Sequence, residues 1–290
     1  MSRAYTAAEG RAYTKWLATH HYENFHVVSL LLPKRLHQDF YNVYAFCRWA
    51  DDLGDEIGDP AASLRLLAWW RGELEAMYEG RARHPVFVAL RETAEKYQLP
   101  DEPFHDLITA FERDQRTPVY ETYGEVLGYC RYSANPVGRL ILYLCGYRDE
   151  ERQRMSDATC SGLQLANFWQ DVTVDLEKGR IYLPLEWLRE AGYSVEELRR
   201  REFTPQFARA MKVAVEEARK LFAAGLPLVG RVDRRLALDL DLFHRGGMLV
   251  LDKIERMNYN VLARRPAVGR GERVLLVLRS LLRMPFHRAA

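Results

Sequence analysis

The chain has 290 residues, of which 48% are hydrophobic and 28% are charged, a composition that excludes a disordered or low-complexity protein. Its 42 lysines and arginines against 40 aspartates and glutamates give a net charge of +2, which is too balanced for non-specific nucleic-acid binding. No apolar run predicts a spanning helix and no secretory signal is evident, so a cytoplasmic protein is expected. Its cysteines form no C-x-x-C pair and are expected to be buried thiols in a reducing compartment. They are Cys47, Cys130, Cys145 and Cys160.

Apolar residues recur at helical spacing along nearly the whole chain, and no alternating run predicts a strand, so we expect an all-α fold. Prolines contribute to the predicted boundaries, because proline disrupts a helix interior but is well suited to a first turn. No linker, composition shift or internal repeat divides the chain, and we expect one domain over residues 1–290. The predicted helices cover residues 3–19, 36–56, 62–79, 84–97, 102–114, 122–146, 150–177, 184–190, 194–201, 205–228, 230–262 and 271–284.

The second predicted helix carries aspartates where apolar residues are expected. Phe40, Tyr44 and Cys47 lie at positions i, i+4 and i+7 and define an inward stripe, which Asp51 and Asp55 continue. The spacing of the two aspartates places their side chains on one face, about 5–6 Å apart. Ionised carboxylates in an apolar interior are costly unless they are paired or bind a metal. An isolated D-x-x-x-D motif is nevertheless usually a solvated surface pair.

The predicted helix over residues 150–177 repeats this pattern. Asn167, Asp171 and Asp175 lie at i, i+4 and i+8, which spans about 12 Å along one face. If the two helices are neighbours, five oxygen-bearing side chains converge, with Arg48 one turn before the first row. Mg²⁺ favours such oxygen ligands and keeps positions for water and substrate phosphates, so the pattern predicts a magnesium-bound diphosphate. Its departure would leave a carbocation.

Aromatic side chains near the two rows could stabilise such a cation by about 0.5–2 kcal/mol each, which predicts an isoprenoid diphosphate as the substrate. Each of them individually is more often a core residue. The histidines lack the spacing of zinc ligands, and no nucleophile elbow or phosphate loop is present. The candidate aromatic residues are Tyr41, Tyr44, Trp49, Tyr129, Tyr132, Phe168 and Trp169.

In these motifs the chain resembles the squalene/phytoene synthase family of head-to-head prenyl synthases. The resemblance implies an all-α helical bundle of the isoprenoid-synthase type with a central apolar pocket. It also implies Mg²⁺ as the cofactor and a prenyl diphosphate as the substrate. The segments that carry it are residues 44–48 and 51–55, residues 162–167 with Gln170, Asp171 and Asp175, Tyr129-Cys130 with Val137-Gly138, residues 179–184 and residues 251–255.

The resemblance assigns a role to individual residues of this chain. The catalytic aspartates are Asp51, Asp55, Asp171 and Asp175. The ligands of the magnesium ions and the diphosphate are Asp51, Asp55, Asn167, Asp171 and Asp175. The positions that contact the substrate are Arg48, Tyr129, Gln164, Asn167 and Arg264.

Within the family, the segments over residues 23–33, 129–138 and 167–171 look like the bacterial hydroxysqualene synthase branch of hopanoid pathways. That branch ionises and rearranges presqualene diphosphate and captures the cation with water, without NADPH. Common family members carry Ser-x-Ser at Tyr22-Glu23-Asn24 and an arginine at Gln170, so this chain lacks two groups that contact a diphosphate.

Three alternatives remain open at this point. The first is a squalene or phytoene synthase that condenses two prenyl diphosphates, and the second is a non-catalytic helical protein at a membrane surface. The third is an all-α nucleotide pyrophosphatase, although its paired E-x-x-E and E-x-x-D rows are not found here.

Residues 264–290 contain seven arginines and one acidic residue, Glu272, together with an apolar face. Such a basic amphipathic segment could lie on an anionic membrane surface, which would place the protein peripherally on the inner face of the membrane. A docked terminal helix with a solvated basic face is the alternative. No nucleic-acid partner is expected, whereas enzymes upstream and downstream in the pathway are candidate partners. The residues of the apolar face are Val274, Leu275, Leu278, Leu281 and Leu282.

Overall fold

The structure is a computed structural model that describes residues 5–20, 33–116, 119–269, 271–272 and 276. Within these ranges it is built from helices and contains no strand, which confirms the all-α prediction; an isolated bridge pairs Val119 with Ile181. Short 3-10 helices lie at Lys34–Leu36 and Leu226–Arg231. The α-helices are α1 (Ala7–His20), α2 (His37–Asp55), α3 (Pro60–Tyr78), α4 (Pro85–Tyr97), α5 (Glu102–Asp114), α6 (Tyr123–Ser133), α7 (Asn135–Leu144), α8 (Glu150–Gln170), α9 (Val172–Glu177), α10 (Leu185–Ala191), α11 (Val195–Arg199), α12 (Pro205–Gly225) and α13 (Arg234–Arg256).

The chain groups into two compact units, and the expectation of a single domain stays a prediction. The first unit is Met1–Arg116 with Pro136–Gln153, and the second is Thr117–Asn135 with Arg154–Ala290. Helix α8 therefore begins in the first unit and continues in the second. Among the described residues, no helix is long and apolar enough to cross a membrane.

An aromatic cluster forms the core of the first unit and holds helix α2. Phe46 of α2 is completely buried, and its ring centroid lies 5.9 Å from those of Trp70 and Phe87 and 4.9 Å from that of Phe104. These partners come from α3, α4 and α5, so one side chain of α2 contacts three neighbouring helices. Burying large aromatic side chains supplies much of the stabilisation of such a core. Helix α2 is therefore fixed on its inner face.

A buried chain of polar groups further fixes helix α2 against helices α1 and α4. The Thr14 hydroxyl donates to Asn42 Oδ1 at 2.6 Å, and the Asn42 amide donates to Thr93 Oγ1 at 2.9 Å. Thr93 in turn donates to Asp39, which also accepts a hydrogen bond from Lys96. Because each buried polar group has a partner, the network avoids the cost of unsatisfied hydrogen bonds.

Close approach at glycines joins the helices of the second unit. A Cβ at Gly225 of α12 would lie 2.9 Å from the Met155 carbonyl oxygen of α8, a distance too short for a side chain. The Phe222 ring lies against Gly162 of α8 and Gly247 of α13, and at Gly247 an added Cβ would overlap the ring. Helices α8, α12 and α13 can therefore pack this closely only because these positions lack a side chain.

Three predicted helices are interrupted or shorter in the structure. The predicted helix over residues 122–146 is two helices separated at Ala134, since Pro136 has no backbone N–H to donate to the carbonyl one turn earlier. The predicted helix over residues 150–177 has a break at Asp171, where φ is −104° and ψ is 14°. The predicted helix over residues 230–262 begins after the N-cap Asp233 and ends at Arg256, before Asn258 and its left-handed backbone. Of the predicted helix over residues 271–284, only residues 271, 272 and 276 are described.

The prediction that all four cysteines are buried is wrong for three of them. None of these four residues forms a disulfide, but only Cys130 is buried, whereas Cys47, Cys145 and Cys160 are partly exposed. Helical periodicity places a residue on a face but does not show how far a neighbouring helix covers it. Burial raises the pKa of the Cys130 thiol to about 12, and desolvation by its neighbours together with the charge of Asp51 raises the pKa of the partly exposed Cys47 thiol to about 12, so both stay protonated at neutral pH.

Candidate active site

The first acid row lies at the C-terminal end of α2 and contains an ion-pair network. Arg48, whose side chain is only 15% exposed, places Nη2 2.5 Å from Asp52 Oδ1 and Nη1 3.5 Å from Asp51 Oδ2. The spacing of three and four residues along the helix brings these groups together. Asp52 was not among the predicted site residues, although its position four residues after Arg48 is a signal for this pair.

The sequence pattern predicted that the acids of the first row lie in the core, and this prediction is wrong. The Asp51 side chain is 44% exposed and Asp55 is exposed, whereas Phe40 and Tyr44 of the same stripe are buried. The stripe therefore passes from the interior to the surface within α2. Carboxylates at such a position keep part of their hydration, so they cost less than buried ones and stay accessible to a cation.

The second acid row spans the junction between α8 and α9. The Asp171 amide donates to the Asn167 carbonyl and the Asp175 amide donates to the Asp171 carbonyl, both at 2.9 Å. The helical hydrogen-bond pattern therefore continues through the break at Asp171, so the three residues still follow one another by single turns. The Asp171 side chain is 16% exposed, Asp175 is partly exposed and Asn167 is exposed.

Arg265 binds the second acid row through two hydrogen bonds. Its Nε donates to Asp171 Oδ1, and its Nη2 donates to Asp171 Oδ2 at 3.0 Å. The hydrogen bond to Asp171 and the charges of Asp171 and Asp175 raise the pKa of Arg265. The sequence had predicted Arg264 as a contact residue, and the structure places Arg264 at an exposed position next to this pair. No local pattern indicated Arg265, which lies 94 positions from its partner.

The side chain of Gln170 holds the segment that carries Arg265. Its Nε2 donates to the Pro266 carbonyl oxygen, and the residue is buried. In this conformation the amide is used to anchor the main chain beside Arg265. Gln164, predicted to contact the substrate, is half-buried on α8.

An aromatic cluster lies next to the second acid row in the second unit. The Phe168 and Tyr182 rings stack with centroids 3.7 Å apart and planes within 5°, and the Tyr129 centroid lies 5.9 Å and 5.6 Å from theirs. Tyr120 also stacks on Tyr182, with the two ring centroids 5.7 Å apart. All four residues are at least nine-tenths buried. Phe168 and Tyr182 line the same small cleft as Asp175, so part of the cluster lies beside the row of oxygen ligands. Aromatic rings attract cations.

The loop after α9 places Tyr182 in this cluster. Gly179 has a φ of +74°, a conformation that glycine adopts at little cost, and it turns the chain after Glu177. The bridge between Ile181 and Val119 then fixes the next residues. A small cleft beside Asp175 is lined in part by Phe168, Arg180 and Tyr182. The conformation of this loop thus brings residues 179–184, one of the segments that carry the family resemblance, to the acid row.

The other candidate aromatic residues have different environments. Trp169 is completely buried, with its ring centroid 6.1 Å from that of Trp187 in the second unit. Trp49 stacks on Trp70 and donates to the Tyr13 hydroxyl, so it has a structural role in the first unit. Buried Tyr44 lies on α2, where Tyr41 is partly exposed, and Tyr132 is partly exposed on α6.

The donor atoms of each row suit a hard cation. Mg²⁺ requires only one or two carboxylates when waters and phosphate oxygens complete its shell. Within the described residues, no three histidine, cysteine, aspartate or glutamate side chains form a metal-binding group by themselves. Arg48 and Arg265 each form an ion pair with an aspartate, so they offset part of the negative charge at the two rows. The assignment of Asp51, Asp55, Asn167, Asp171 and Asp175 as Mg²⁺ ligands stays a prediction.

Comparison with solved structures defines the class of fold. The crystal structure of squalene synthase HpnC from Alicyclobacillus acidocaldarius has a TM-score of 0.84 at 44% sequence identity, over 88% of this chain and 96% of that one. A dehydrosqualene synthase in complex with a ligand gives the same TM-score at 24% identity, over 95% of this chain and 96% of that one, and supports the fold alone. The protein therefore has the all-α fold of these prenyl synthases.

Sequence comparison identifies the family. The squalene/phytoene synthase family matches residues 18–272, and the chain belongs to it. The phytoene synthase of Thermus thermophilus is 35% identical over 92% of this chain and 90% of its own length. The hydroxysqualene synthase of Rhodopseudomonas palustris is 35% identical over 82% of this chain and 80% of its own length. Members of the family are enzymes that use Mg²⁺ with prenyl diphosphate substrates.

Proposed function

We propose that the protein converts presqualene diphosphate and water into hydroxysqualene and diphosphate, without NADPH. The observation that carries the proposal is the aromatic cluster of Tyr120, Tyr129, Phe168 and Tyr182, two of whose rings line a cleft together with Asp175 of the second acid row. The reaction needs oxygen ligands where the diphosphate leaves and apolar π faces where the cation forms. Both features occur within the second unit.

The catalytic cycle begins with cleavage of the carbon–oxygen bond to the diphosphate, whose oxygen keeps the electron pair. Mg²⁺, when bound, acts as a Lewis acid that stabilises this leaving group. Asn167, Asp171 and Asp175 would hold the metal and with it the diphosphate, and the rings of the aromatic cluster, which include Tyr129 and Phe168, would stabilise the cation. The cyclopropane ring of the substrate then opens and water adds to the resulting cation. The added water loses its proton to the released diphosphate, which gives the alcohol.

The environment of Gln170 favours one diphosphate over two. Common family members carry an arginine at this position, which contacts a diphosphate, whereas this amide is bound to Pro266. An enzyme that ionises one preformed diphosphate needs fewer phosphate contacts than one that joins two. The second departure, at residues 22–24, lies outside the described residues.

A condensing synthase is the second candidate function. The phytoene synthase of Thermus thermophilus is as similar to this chain as the hydroxysqualene synthase is, with 35% identity in both cases. Arg265 also supplies a cation next to Gln170. Under this alternative, two prenyl diphosphates would replace presqualene diphosphate as the substrate.

Product analysis with purified protein tests the proposal. Presqualene, farnesyl and geranylgeranyl diphosphates are supplied separately, each with Mg²⁺ or EDTA and with or without NADPH. We expect hydroxysqualene and stoichiometric diphosphate from presqualene diphosphate, with no effect of NADPH and no reaction in EDTA. Phytoene from geranylgeranyl diphosphate, without turnover of presqualene diphosphate, would establish the second candidate instead.

Attachment to a membrane through residues 264–290 remains a proposal that fits a C30 product with little solubility in water. The predicted apolar face of Val274, Leu275 and the following leucines lies outside the described residues. Sedimentation with anionic and neutral vesicles tests it. Binding to anionic vesicles alone is expected, because the segment is basic.

A further inference from the structure

Arg265 belongs to a segment whose main chain is held independently of its guanidinium group. The Gln170 amide donates to the Pro266 carbonyl, and Lys253 Nζ donates to the Ala267 carbonyl at 2.7 Å. Lys253 also pairs with Glu272 at 2.7 Å. Two side chains from α8 and α13 therefore fix residues 266 and 267. If the pair between Arg265 and Asp171 opened, these anchors would keep the guanidinium near the acid row.

The pair between Arg265 and Asp171 is asymmetric in its exposure. The Arg265 side chain is 51% exposed, whereas that of Asp171 is 16% exposed, so the guanidinium approaches the carboxylate from the solvent side. Both carboxylate oxygens accept a hydrogen bond from it. An ion pair with one partner in solvent adds little stability, so its exchange for another partner costs little. A divalent cation that binds Asp171 must displace at least one of these hydrogen bonds.

We infer that Arg265 is an exchangeable counter-ion, which pairs with Asp171 in the metal-free protein and transfers to the substrate's phosphate oxygens when Mg²⁺ binds. The inference rests on the proposed function for its substrate, a prenyl diphosphate. Its basis is the competition between two cations for one carboxylate, together with the anchored main chain. Guanidinium groups bind phosphate oxygens in the same two-point geometry that they use for carboxylates.

The exchange also explains how this chain functions with a glutamine before Asp171. Gln170 anchors the main chain, and the adjacent Arg265 supplies the positive charge. The glutamine and the arginine thus divide between them the function that one arginine has in common members of the family. Arg265 would then contact the substrate only after Mg²⁺ has bound, which makes metal binding a condition for diphosphate binding.

Two binding measurements test the exchange, because Arg265→Gln is expected to raise the affinity for Mg²⁺ and to lower the affinity for diphosphate. Binding of Mg²⁺ to the full-length, substrate-free protein is measured by titration calorimetry for wild type and Arg265→Gln. Without the competing guanidinium, we expect the variant to bind Mg²⁺ about two- to fivefold more tightly. Binding of inorganic diphosphate in saturating Mg²⁺ should weaken by about tenfold or more, because a charged hydrogen-bond donor is lost.

Arg201→Gln is the matched control. Arg201 pairs with Glu177 of α9 at 2.8 Å, and both side chains are exposed, so this change removes one arginine charge from the same unit without altering Asp171. We expect both binding constants to stay within about twofold of wild type. Arg265→Lys keeps the charge but loses the two-point geometry. It should bind Mg²⁺ at least as tightly as wild type and bind diphosphate more tightly than Arg265→Gln does.

The result that overturns the inference is an Arg265→Gln protein whose Mg²⁺ affinity is unchanged or lower, or whose diphosphate affinity is unchanged. A purely structural role of Arg265 would lower both affinities together. If Arg265→Gln does not fold, as judged by circular dichroism, Arg265→Lys is measured instead. For this variant, Mg²⁺ binding weaker than in wild type, or diphosphate binding as tight as in wild type, overturns the inference. Neither measurement uses a prenyl substrate, so a wrong reaction in the product analysis would leave these outcomes intact.

Discussion

Asparagine in place of Asp239 should stabilise the protein at alkaline pH and have little effect in acid. Asp239 lies on α13 and is only 2% exposed, and neither of its carboxylate oxygens has a hydrogen-bond partner in the part of the chain that the structure describes. Burial, with a smaller contribution from the charge of Asp233, raises its pKa to about 7. The ionised form of Asp239 is therefore disfavoured at this buried position. An isosteric neutral amide removes the free-energy cost of burying the charge.

The size and the sign of the effect follow from this pKa. An aspartate in the unfolded chain ionises near pH 3.9, so the rise in the folded state is about 3 pKa units, or about 4 kcal/mol. Between those two pH values the folded protein binds a proton that the unfolded chain has lost. The free energy of unfolding therefore falls as the pH rises from about 4 to about 7. The whole cost is present above pH 7, and none is present below pH 4.

Urea denaturation followed by circular dichroism at pH 5 and pH 8 measures this effect. The stability gained by Asp239→Asn should be about 3 kcal/mol larger at pH 8 than at pH 5. Asp241→Asn is the control, because Asp241 is also buried but accepts a hydrogen bond from Arg245 at 2.6 Å. It should lose about 1–3 kcal/mol at pH 8. A gain in stability for Asp239→Asn that is equal at both pH values would refute the conclusion that burial raises the pKa of Asp239.

Three further outcomes are expected. Asp171→Ala should abolish diphosphate release, and an active variant would refute the assignment of Asp171 as a metal ligand. Its free energy of unfolding in urea should stay within about 1 kcal/mol of that of wild type, because the ion-pair partner Arg265 is exposed. Gly247→Ala should lose about 1–3 kcal/mol, since its Cβ would overlap the Phe222 ring, and adding Phe222→Leu should restore part of this loss in the same urea assay. Burial lowers the pKa of His84 to about 4, so the stability of the fold should fall as the pH drops from about 6.5 towards 4. In thermal melts His84→Gln should make this decline smaller, and a decline equal to that of wild type would contradict the role of His84.

Sequence periodicity predicted the fold class and most helices because each helix has a distinct apolar face. It could not locate the break at Asp171, since the apolar spacing continues across it and the hydrogen bonds on either side are helical. The break at Ala134 had a visible cause in Pro136, but the apolar pattern on both sides outweighed it in the prediction. Local backbone geometry thus depends on single residues that a periodic pattern averages out.

The same pattern located the two candidate acid rows but misjudged their burial. Asp51 and Asp55 continue the stripe of Phe40 and Tyr44, yet the stripe reaches solvent before it ends. A helical wheel gives the direction of a side chain and not the extent of the helices that cover it. Only the tertiary structure shows where that cover stops.

Arg265 could not be found from local spacing, because its partner is 94 residues earlier in the chain. Arg264 was predicted from the resemblance alone, and helical periodicity does not distinguish two adjacent arginines in a segment that is not helical. The two are distinguished by the anchoring of Pro266 to Gln170, a contact between side chain and main chain. Such contacts leave no periodic signal in a sequence.

The arginines that neutralise the two acid rows differ in a way that assigns them different functions. Arg48 lies on the same helix as Asp51 and Asp52, and its side chain is 15% exposed, so the geometry of α2 itself keeps the charges together. Arg265 reaches Asp171 from a distant segment and is 51% exposed. Because a solvent-exposed pair exchanges partners at little cost, the charge of the second row can respond to a bound cation. The charge of the first row is instead set by its own helix.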